Sequence, residues 1–434
     1  MLKEYFIIDK IRNPFDENVY ARYNSNNYGI AVYTDKVHEE LKKYDNGAIN
    51  NFAENQYLKI MDENGFLNEK SSPLRPSKSK RRLSVWLHLT NNCNLQCTYC
   101  CIHKNNEKMS LQTAINIIDK AIFSCEKNSI NTIHLMFMGG EPILQIDLIK
   151  KIVKYVELYP TDIKFQYSII TNATLLNSNV ADYIKEKRMS VSISLDGIEQ
   201  YSDLSRIKPN GSGSFKESML GIENLISKGI NPNILITVSP ENVNGLPEIT
   251  EMLTKKELNF RFSLARDTEC GNPAILDNED VCVTKIIESI QIMKKSILLR
   301  KPNWHFQFGD VYFNTPRNRC CSSGSNFFAV NQNGMISSCG TSLDNPTLNI
   351  NDVFDLVTEV KEHFAEINQF SAKRIKKCYN CEFLNCCASA CQLQNKATFG
   401  TFYHCSPFCN LYKQILPEVI KLYALEKYIS AKFQ

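Results

Sequence analysis

Between residues 83 and 265 the chain alternates between two hydrophobic periods. Short runs rich in β-branched and aromatic residues read as strands: "LSVWLHLT" (83–90), "TIHLMFM" (132–138), "KFQYSIIT" (164–171), "MSVSISL" (189–195), "NILITVS" (233–239) and "NFRFSLA" (259–265). The stretches between them carry helical spacing. "SLQTAINIIDKAIFSCEK" opens on Ser110, which suits an N-cap, and "SFKESMLGIENLISKG" closes on a glycine. Repeated β-then-α units predict an α/β fold with a parallel sheet and right-handed crossovers. Six units fall short of eight, so the expectation is a partial (β/α)6 TIM-like barrel, open on one side. Such barrels collect their chemistry at the C-terminal strand ends. Here the unusual residues follow the strands: the first runs into "NNCNLQCTYCC", the second into "GGEP" (139–142), the third into "TNATLL" (171–176) and the fourth into "SLDG" (194–197).

Residues 1–70 have a different pattern, with β-like "EYFIID", "VYARYN" and "YGIAVYT" followed by helix-like "DKVHEELKKYD" and "ENQYLKIMDENGFL". Strands followed by helices predict a separate, winged-helix-like α+β domain. Winged helices often grip nucleic acid, but nine Lys/Arg against twelve Asp/Glu give this segment a net charge of −3, the wrong sign for phosphate contacts. A peptide added along a strand edge suits it better. The stretch "SSPLRPSKSKRR" (71–82) reads as an exposed linker whose basic run is solvation. The barrel is then expected over 83–310, leaving an irregular, cysteine-rich segment at 311–434.

Composition sharpens this picture at one point. A hydrophobic fraction of 43% with 22% charged residues describes a globular chain with a large core, and a net charge of +4 over 434 residues gives no nucleic-acid footprint. "MLKEYFIIDK" has no basic region leading into an apolar stretch and no run of eighteen apolar residues occurs, so a cytoplasmic protein with no membrane partner is expected. Seventeen cysteines are the anomaly, and in a reducing compartment clustered thiols bind metal or do redox chemistry. They are grouped: Cys93, Cys97, Cys100 and Cys101 in one loop, and ten between Cys320 and Cys409.

Cys93, Cys97 and Cys100 have the spacing C-x3-C-x2-C directly after a strand. Three thiolates on one short loop can hold three corners of an iron-sulfur cubane and leave one iron open, whereas a structural zinc needs four closed ligands. Cys101, adjacent to Cys100, is left out and reads as a buried small hydrophobe. With Tyr99 before the last cysteine, and with "GGEP", "TNATLL" and "SLDG" arriving in order, residues 83 to about 265 resemble the radical S-adenosylmethionine (radical SAM) superfamily. The resemblance implies that the open iron chelates SAM and that one electron from the cluster yields a hydrogen-abstracting 5′-deoxyadenosyl radical. It also implies site roles. Gly139 and Gly140 would let the backbone approach the ligand closely, and Glu141 would accept from the SAM ammonium. Thr171, Asn172 and Ser194 would bond the ribose or carboxylate, and Tyr99 would cover the adenine. Arg206 would pair with the SAM carboxylate, the alternative being a surface arginine.

The C-terminal cysteines resemble a SPASM domain, the extension that carries two auxiliary clusters in peptide-modifying radical SAM enzymes, which would bring the chain to three 4Fe-4S clusters. The resemblance implies an outer set of Cys378, Cys381, Cys387 and Cys409 and an inner set of Cys321, Cys339 and Cys391. Cys320 is a candidate fourth inner ligand; without it that iron is open. Cys320/Cys321 and Cys386/Cys387 each offer two registers and Cys405 competes with Cys409, the spacing favouring Cys387 and Cys409.

Two branches of the family compete. Anaerobic sulfatase-maturating enzymes carry an aspartate base after the second inner cysteine, where this chain has Gly340, and a histidine after "SLDG", where it has Ser202. Maturases of ribosomally made, post-translationally modified peptides carry an N-terminal recognition element, which residues 1–70 resemble. The expectation is therefore a peptide maturase. It would grip the leader of its precursor, take electrons from a donor such as flavodoxin or ferredoxin, and join a cysteine sulfur to carbon as a thioether. Carbon–carbon or carbon–oxygen crosslinking, epimerisation and sulfatase maturation are the alternatives. Asp203, Asp267 and Asp310 are candidate bases, each with an ordinary surface-acid reading, and His88 and His134 read as packed barrel residues. A reading from another class, a zinc-stabilised winged-helix binding protein, predicts zinc in place of iron.

Overall fold

A computed structural model describes residues 11–12, 18–24, 29–48, 55–64, 66–67, 82–266, 277–313, 317–343 and 345–432. The N-terminal part is an antiparallel sheet of β1 (Ile11–Arg12), β2 (Asn18–Tyr23) and β3 (Ile30–Thr34) in that order, followed by α1 (Asp35–Asp45) and α2 (Gln56–Glu63). The strand expected at "EYFIID" and the linker up to residue 81 lie outside the described residues. Period-2 alternation explains how the sheet is held. Ala31 and Tyr33 of β3 pack with Leu41, Leu58 and Met61 from the two helices, whereas Ile30 and Val32 face the other way and join the main core.

All six expected barrel strands form, each parallel to the next: β4 (Arg82–His88), β5 (Thr132–Met138), β6 (Lys164–Thr171), β7 (Ser190–Ser194), β8 (Asn233–Val238) and β9 (Asn259–Leu264). Between and after them run α3 (Leu111–Lys127), α4 (Ile146–Leu158), α5 (Ser178–Glu186), α6 (Glu199–Ser205), α7 (Phe215–Ser227), α8 (Leu246–Lys255) and α9 (Glu279–Leu299). Ser110 caps α3, its hydroxyl accepting from the Thr113 amide at 3.0 Å. Past the end of α7, Gly229 takes φ +73°, and the Ile230 amide returns to the Leu225 carbonyl at 3.0 Å.

The sheet is larger than the sequence pattern suggests. β10 (Phe306–Phe308) adds in parallel to β9, while β11 (Phe327–Val330) adds in parallel to β4 and continues into β12 (Met335–Ser337) and β13 (Leu348–Asn349). Strands of two to four residues are too short to display a period, which is why they do not stand out in the sequence. The resulting order, β10-β9-β8-β7-β6-β5-β4-β11-β12-β13, does not close on itself, so the barrel is partial. A C-terminal helix (Cys409–Lys432) packs along α9 and touches β3, tying the N-terminal sheet to the barrel.

Alternation along the strands separates two surfaces. Leu83, Val85, Leu87, Ile133, Leu135 and Phe137 are fully buried among the helices. The opposite face of the sheet keeps Trp86, His134, Met136, Ser192, Thr237 and Ser263 half-buried, so the lumen is mixed in character and open to solvent. His134 packs as expected, its Nε2 2.7 Å from the Ser168 hydroxyl. Among the described residues no helix is long and apolar enough to cross a membrane.

Burial, with help from the nearby Arg82 charge, lowers the His134 pKa from 6.5 to about 4. Between those values the unfolded chain binds more protons than the folded one, so His134 costs stability as pH falls from about 6.5 to about 4. His134→Gln, which can keep the bond to Ser168, is expected to lose less melting temperature than the parent between pH 7 and pH 5. Equal losses would show that His134 does not contribute.

Candidate active site

The first cysteine loop hangs from β4 and is pressed against the end of β5. The Leu89 amide donates to the Met138 carbonyl at 2.8 Å, Gly140 N–H to the Thr90 carbonyl at 2.7 Å and Glu141 N–H to the Asn92 carbonyl at 3.0 Å. A Cβ on Gly139 would stand 2.6 Å from the Thr90 carbonyl oxygen, and one on Gly140 2.2 Å from that of Asn92. Both glycines are therefore required by a close approach to the cysteine loop's own backbone. The loop's far side is held by the amides of Gln96 and Thr98 on the carbonyls of Ile207 and Ser205, at 2.7 and 2.9 Å. This brings Cys93, Cys97 and Cys100 together, half-buried, with Cys97 in electrostatic reach of both others. The Leu95 amide, 3.4 Å from the Cys93 sulfur, and the Asn172 side-chain nitrogen, 3.9 Å from it, are placed to donate to that thiolate.

Glu141 is fully buried, and burial pushes its carboxyl up against three bonds that favour the charged form. Oε1 accepts from the Ile143 amide at 3.0 Å and the Thr171 hydroxyl at 2.7 Å, and Oε2 accepts from the Asn172 amide at 2.8 Å. The carboxylate thus locks the end of β5 to the end of β6. Thr171 is occupied by this bond, and the Asn172 side chain bonds Asn94 and Thr174 (2.9 and 2.7 Å).

On the other side of the loop stands a group that the sequence only half revealed. Arg206 is buried, and its Nη1 lies 2.5 Å from the Tyr99 hydroxyl and 3.3 Å from an Asp196 carboxylate oxygen, which the same hydroxyl also contacts. Tyr99 is therefore tied by its hydroxyl to an ion pair. Asp196, the acid inside "SLDG" and fully buried, was not singled out; its Oδ1 accepts from the Thr237 amide at 2.9 Å, which links β7 to β8. Arg206 Nε is buried and, among the described residues, has no partner. A guanidinium with an unmet donor, in electrostatic reach of Cys97, fits the carboxylate of a ligand bound over the cysteine loop. Ser194 lies half-buried on the lumen face nearby, at the end of β7.

The C-terminal cysteines form two further groups. Cys378, Cys381, Cys387, Cys405 and Cys409 line one small cavity beside Tyr412. Cys386 is absent from it; buried in the main core, its thiol points to the Phe383 carbonyl at 3.4 Å. In the other group, Cys320 donates to Cys321, Cys320 stands in electrostatic reach of Cys391, and Cys339 in that of Cys321. Between Cys387 and Cys391 the chain runs through Ala388, Ser389 and Ala390 with φ of 47°, 65° and 53°. Three left-handed non-glycine residues in a row are costly. They are clamped by the buried Asn395, whose amide reaches the Ser389 hydroxyl at 2.9 Å and the His404 carbonyl at 2.8 Å. Among the described residues no three His, Cys, Asp or Glu side chains converge tightly enough for a single metal ion.

The candidate bases separate. Asp203 caps α7, accepting from the amides of Ser214 and Phe215 at 2.8 and 2.9 Å, which is a structural task. Asp267 lies outside the described residues. Asp310 is gripped by Arg261 (2.8 Å) and Arg266, and although burial pushes its carboxyl up, the two guanidiniums hold it below the usual range, so it is a poor base. Cys101, expected to be buried, instead lines a cavity of about 300 Å³ with His88, Glu107, Gln332 and Thr341.

Comparison with known proteins agrees with this geometry. Residues 87–253 match the Radical SAM superfamily. An uncharacterized protein of Methanocaldococcus jannaschii is 40% identical over 168 residues, 38% of this chain and only 57% of that protein. A cysteine-type anaerobic sulfatase-maturating enzyme of Clostridium novyi is 27% identical over 76% of this chain and 93% of its own length. The radical SAM cyclopropyl synthase TigE of Paramaledivibacter caminithermalis is 22% identical over 89% and 85%. In fold, anSMEcpe with bound AdoMet and a peptide superposes with a TM-score of 0.67 at 18% identity, over 80% of this chain and 99% of that one. Streptococcus suis SuiB bound to its precursor peptide SuiA gives 0.53 at 15% identity, over 86% and 87%.

The packing of Gly140 is open to test. Gly140→Ala forces the Asn92 carbonyl aside, and overpacking of this kind costs about 1–3 kcal/mol. Differential scanning should show a lower melting temperature, and Cys93, Cys97 and Cys100 should alkylate faster in the metal-free protein; an unchanged thiol reactivity would count against the contact.

Proposed function

We propose that this chain, which carries a radical SAM domain, is a maturase that crosslinks a ribosomally made precursor peptide, joining a cysteine sulfur to carbon as a thioether. The observation that carries the reading is how the N-terminal sheet is attached. Among the described residues β3 pairs with β2 alone, leaving an edge that a leader peptide can extend as a further strand. The same strand packs on the helix whose first residue is Cys409, so the peptide-gripping module and the outer cysteine group share one rigid element. A cavity of about 500 Å³ opens beside Ile30, lined by Gln307, Tyr312, Phe313 and Tyr423, and gives the peptide a path along the barrel flank. A leader held in this way raises the local concentration of the core peptide, so a deep specific pocket is not needed.

When bound, a 4Fe-4S cluster at Cys93, Cys97 and Cys100 with SAM supplies the hydrogen-abstracting radical. The chain's own residues do the positioning. Arg206 Nε offers its unmet donor to the SAM carboxylate, and Tyr99 and Asp196 fix the guanidinium plane. Glu141 holds the ends of β5 and β6 in register beneath the loop. Trp86 and Met136 present apolar surface to the lumen. The two C-terminal groups are suited to auxiliary clusters, the outer held by Cys378, Cys381, Cys387 and Cys409, the inner by Cys321, Cys339 and Cys391 with Cys320 as a fourth thiol. With Cys320 as a ligand the inner set would be closed; without it an open iron would be a place for the peptide thiolate that enters the crosslink.

Sulfatase maturation meets an obstacle at Gly340. A Cβ there would lie 3.0 Å from Met138 Cε and 3.1 Å from the Trp86 ring, so an aspartate in that place would need both neighbours to give by a few tenths of an ångström.

The decisive reaction is anaerobic incubation of the reduced, loaded enzyme with SAM and a cysteine-containing precursor encoded beside it. The expected product has lost two hydrogens and one iodoacetamide-reactive thiol, with 5′-deoxyadenosine formed in step, and a leaderless core peptide reacts at least about tenfold more slowly. Formylglycine on a sulfatase peptide, with no crosslink, would overturn the assignment.

A further inference from the structure

The end of the barrel facing the inner cysteines carries a charge arrangement that the proposed chemistry does not yet use. Arg266 follows the end of β9 by two residues and Asp310 follows the end of β10 by two, so both lie at the C-terminal mouth. Arg266 bonds one Asp310 oxygen, and Arg261, from the lumen face of β9, bonds the other at 2.8 Å. Two guanidiniums share one carboxylate, leaving a net positive charge held in a fixed place. Arg266 also stands in electrostatic reach of Cys320 and Cys391, and of Cys339. Two more guanidiniums stand near Cys320 and Cys321: Arg319, which bonds Ser325 and Asn368, both at 2.7 Å, and Arg317, which donates to the Cys320 carbonyl at 2.9 Å.

A cluster held by four thiolates is an anion, and a fixed positive charge beside it favours the state that has gained an electron. We propose that Arg266 is a tuning residue of the inner cluster: its guanidinium, aimed and held by Asp310, raises that cluster's reduction potential. The inference rests on the reading that these cysteines hold a cluster. It assigns Asp310 a positioning role in place of the base suggested by sequence.

The test uses the full chain, reconstituted anaerobically, with Cys93→Ala/Cys97→Ala/Cys100→Ala to silence the first loop, and follows both auxiliary clusters by EPR-monitored redox titration. Arg266→Met is expected to move one midpoint negative while the other stays put, Arg266→Lys to restore most of the difference, and Asp310→Asn to move the same midpoint positive. Midpoints unmoved in Arg266→Met, with about eight irons still bound, overturn the proposal. Equal iron loss in the Met and Lys variants also overturns it, because Arg266 would then be only a scaffold. A parent protein that binds no iron at these cysteines removes the cluster reading itself, a result distinct from either.

Discussion

The contact on which the site depends is backbone against backbone: Gly139 and Gly140 pressed into Thr90–Asn92. Two side-chain-free residues allow the end of β5 to hydrogen-bond the root of the cysteine loop directly, and three amide-to-carbonyl bonds then fix where the three thiols stand. A loop that must present Cys93, Cys97 and Cys100 to one ligand cannot tolerate free movement, since misplacement by about 1 Å can cost on the order of 100-fold in rate. The buried Glu141 carries the same constraint one strand further, to Thr171 and Asn172, and Asn172 returns to the cysteine loop through Asn94. Loop and two strand ends thus form a closed ring of bonds.

Opposite this ring lies a buried ion pair whose energetics point to function more than to stability. Taking Asp196 and Arg206 out of water is expensive, and a buried pair often recovers no more than its desolvation cost. A guanidinium left with one buried donor unmet is worse still on stability grounds. The arrangement makes sense once a carboxylate arrives to complete it.

Much of this was legible in the sequence. The six barrel strands, the Ser110 cap, both helices after β3 and the order of motifs at strand ends all show in hydrophobic period and turn chemistry. What was hidden has physical causes. β10 and β11 are too short to show a period, yet they carry the barrel into the cysteine-rich segment. Asp196 does not stand out within "SLDG" because two of its partners, Tyr99 and Thr237, are distant in sequence. Spacing favoured Cys387 over Cys386, and packing also sets them apart, because the Cys386 thiol faces the core and Cys387 lines the cavity. The contacts that Gly139, Gly140 and Glu141 make with the chain itself join segments remote in sequence, which the motif does not reveal.

The measurement that tests the central claim most directly is the metal and sulfide content of the anaerobically purified full chain, with its absorption spectrum, compared with Cys93→Ala/Cys97→Ala/Cys100→Ala. Three cysteine groups each holding a cubane give about twelve irons with matching sulfide, falling to about eight in the variant. Zinc in place of iron, without sulfide and without SAM cleavage, would contradict the radical mechanism and leave the N-terminal module as the working part of the molecule.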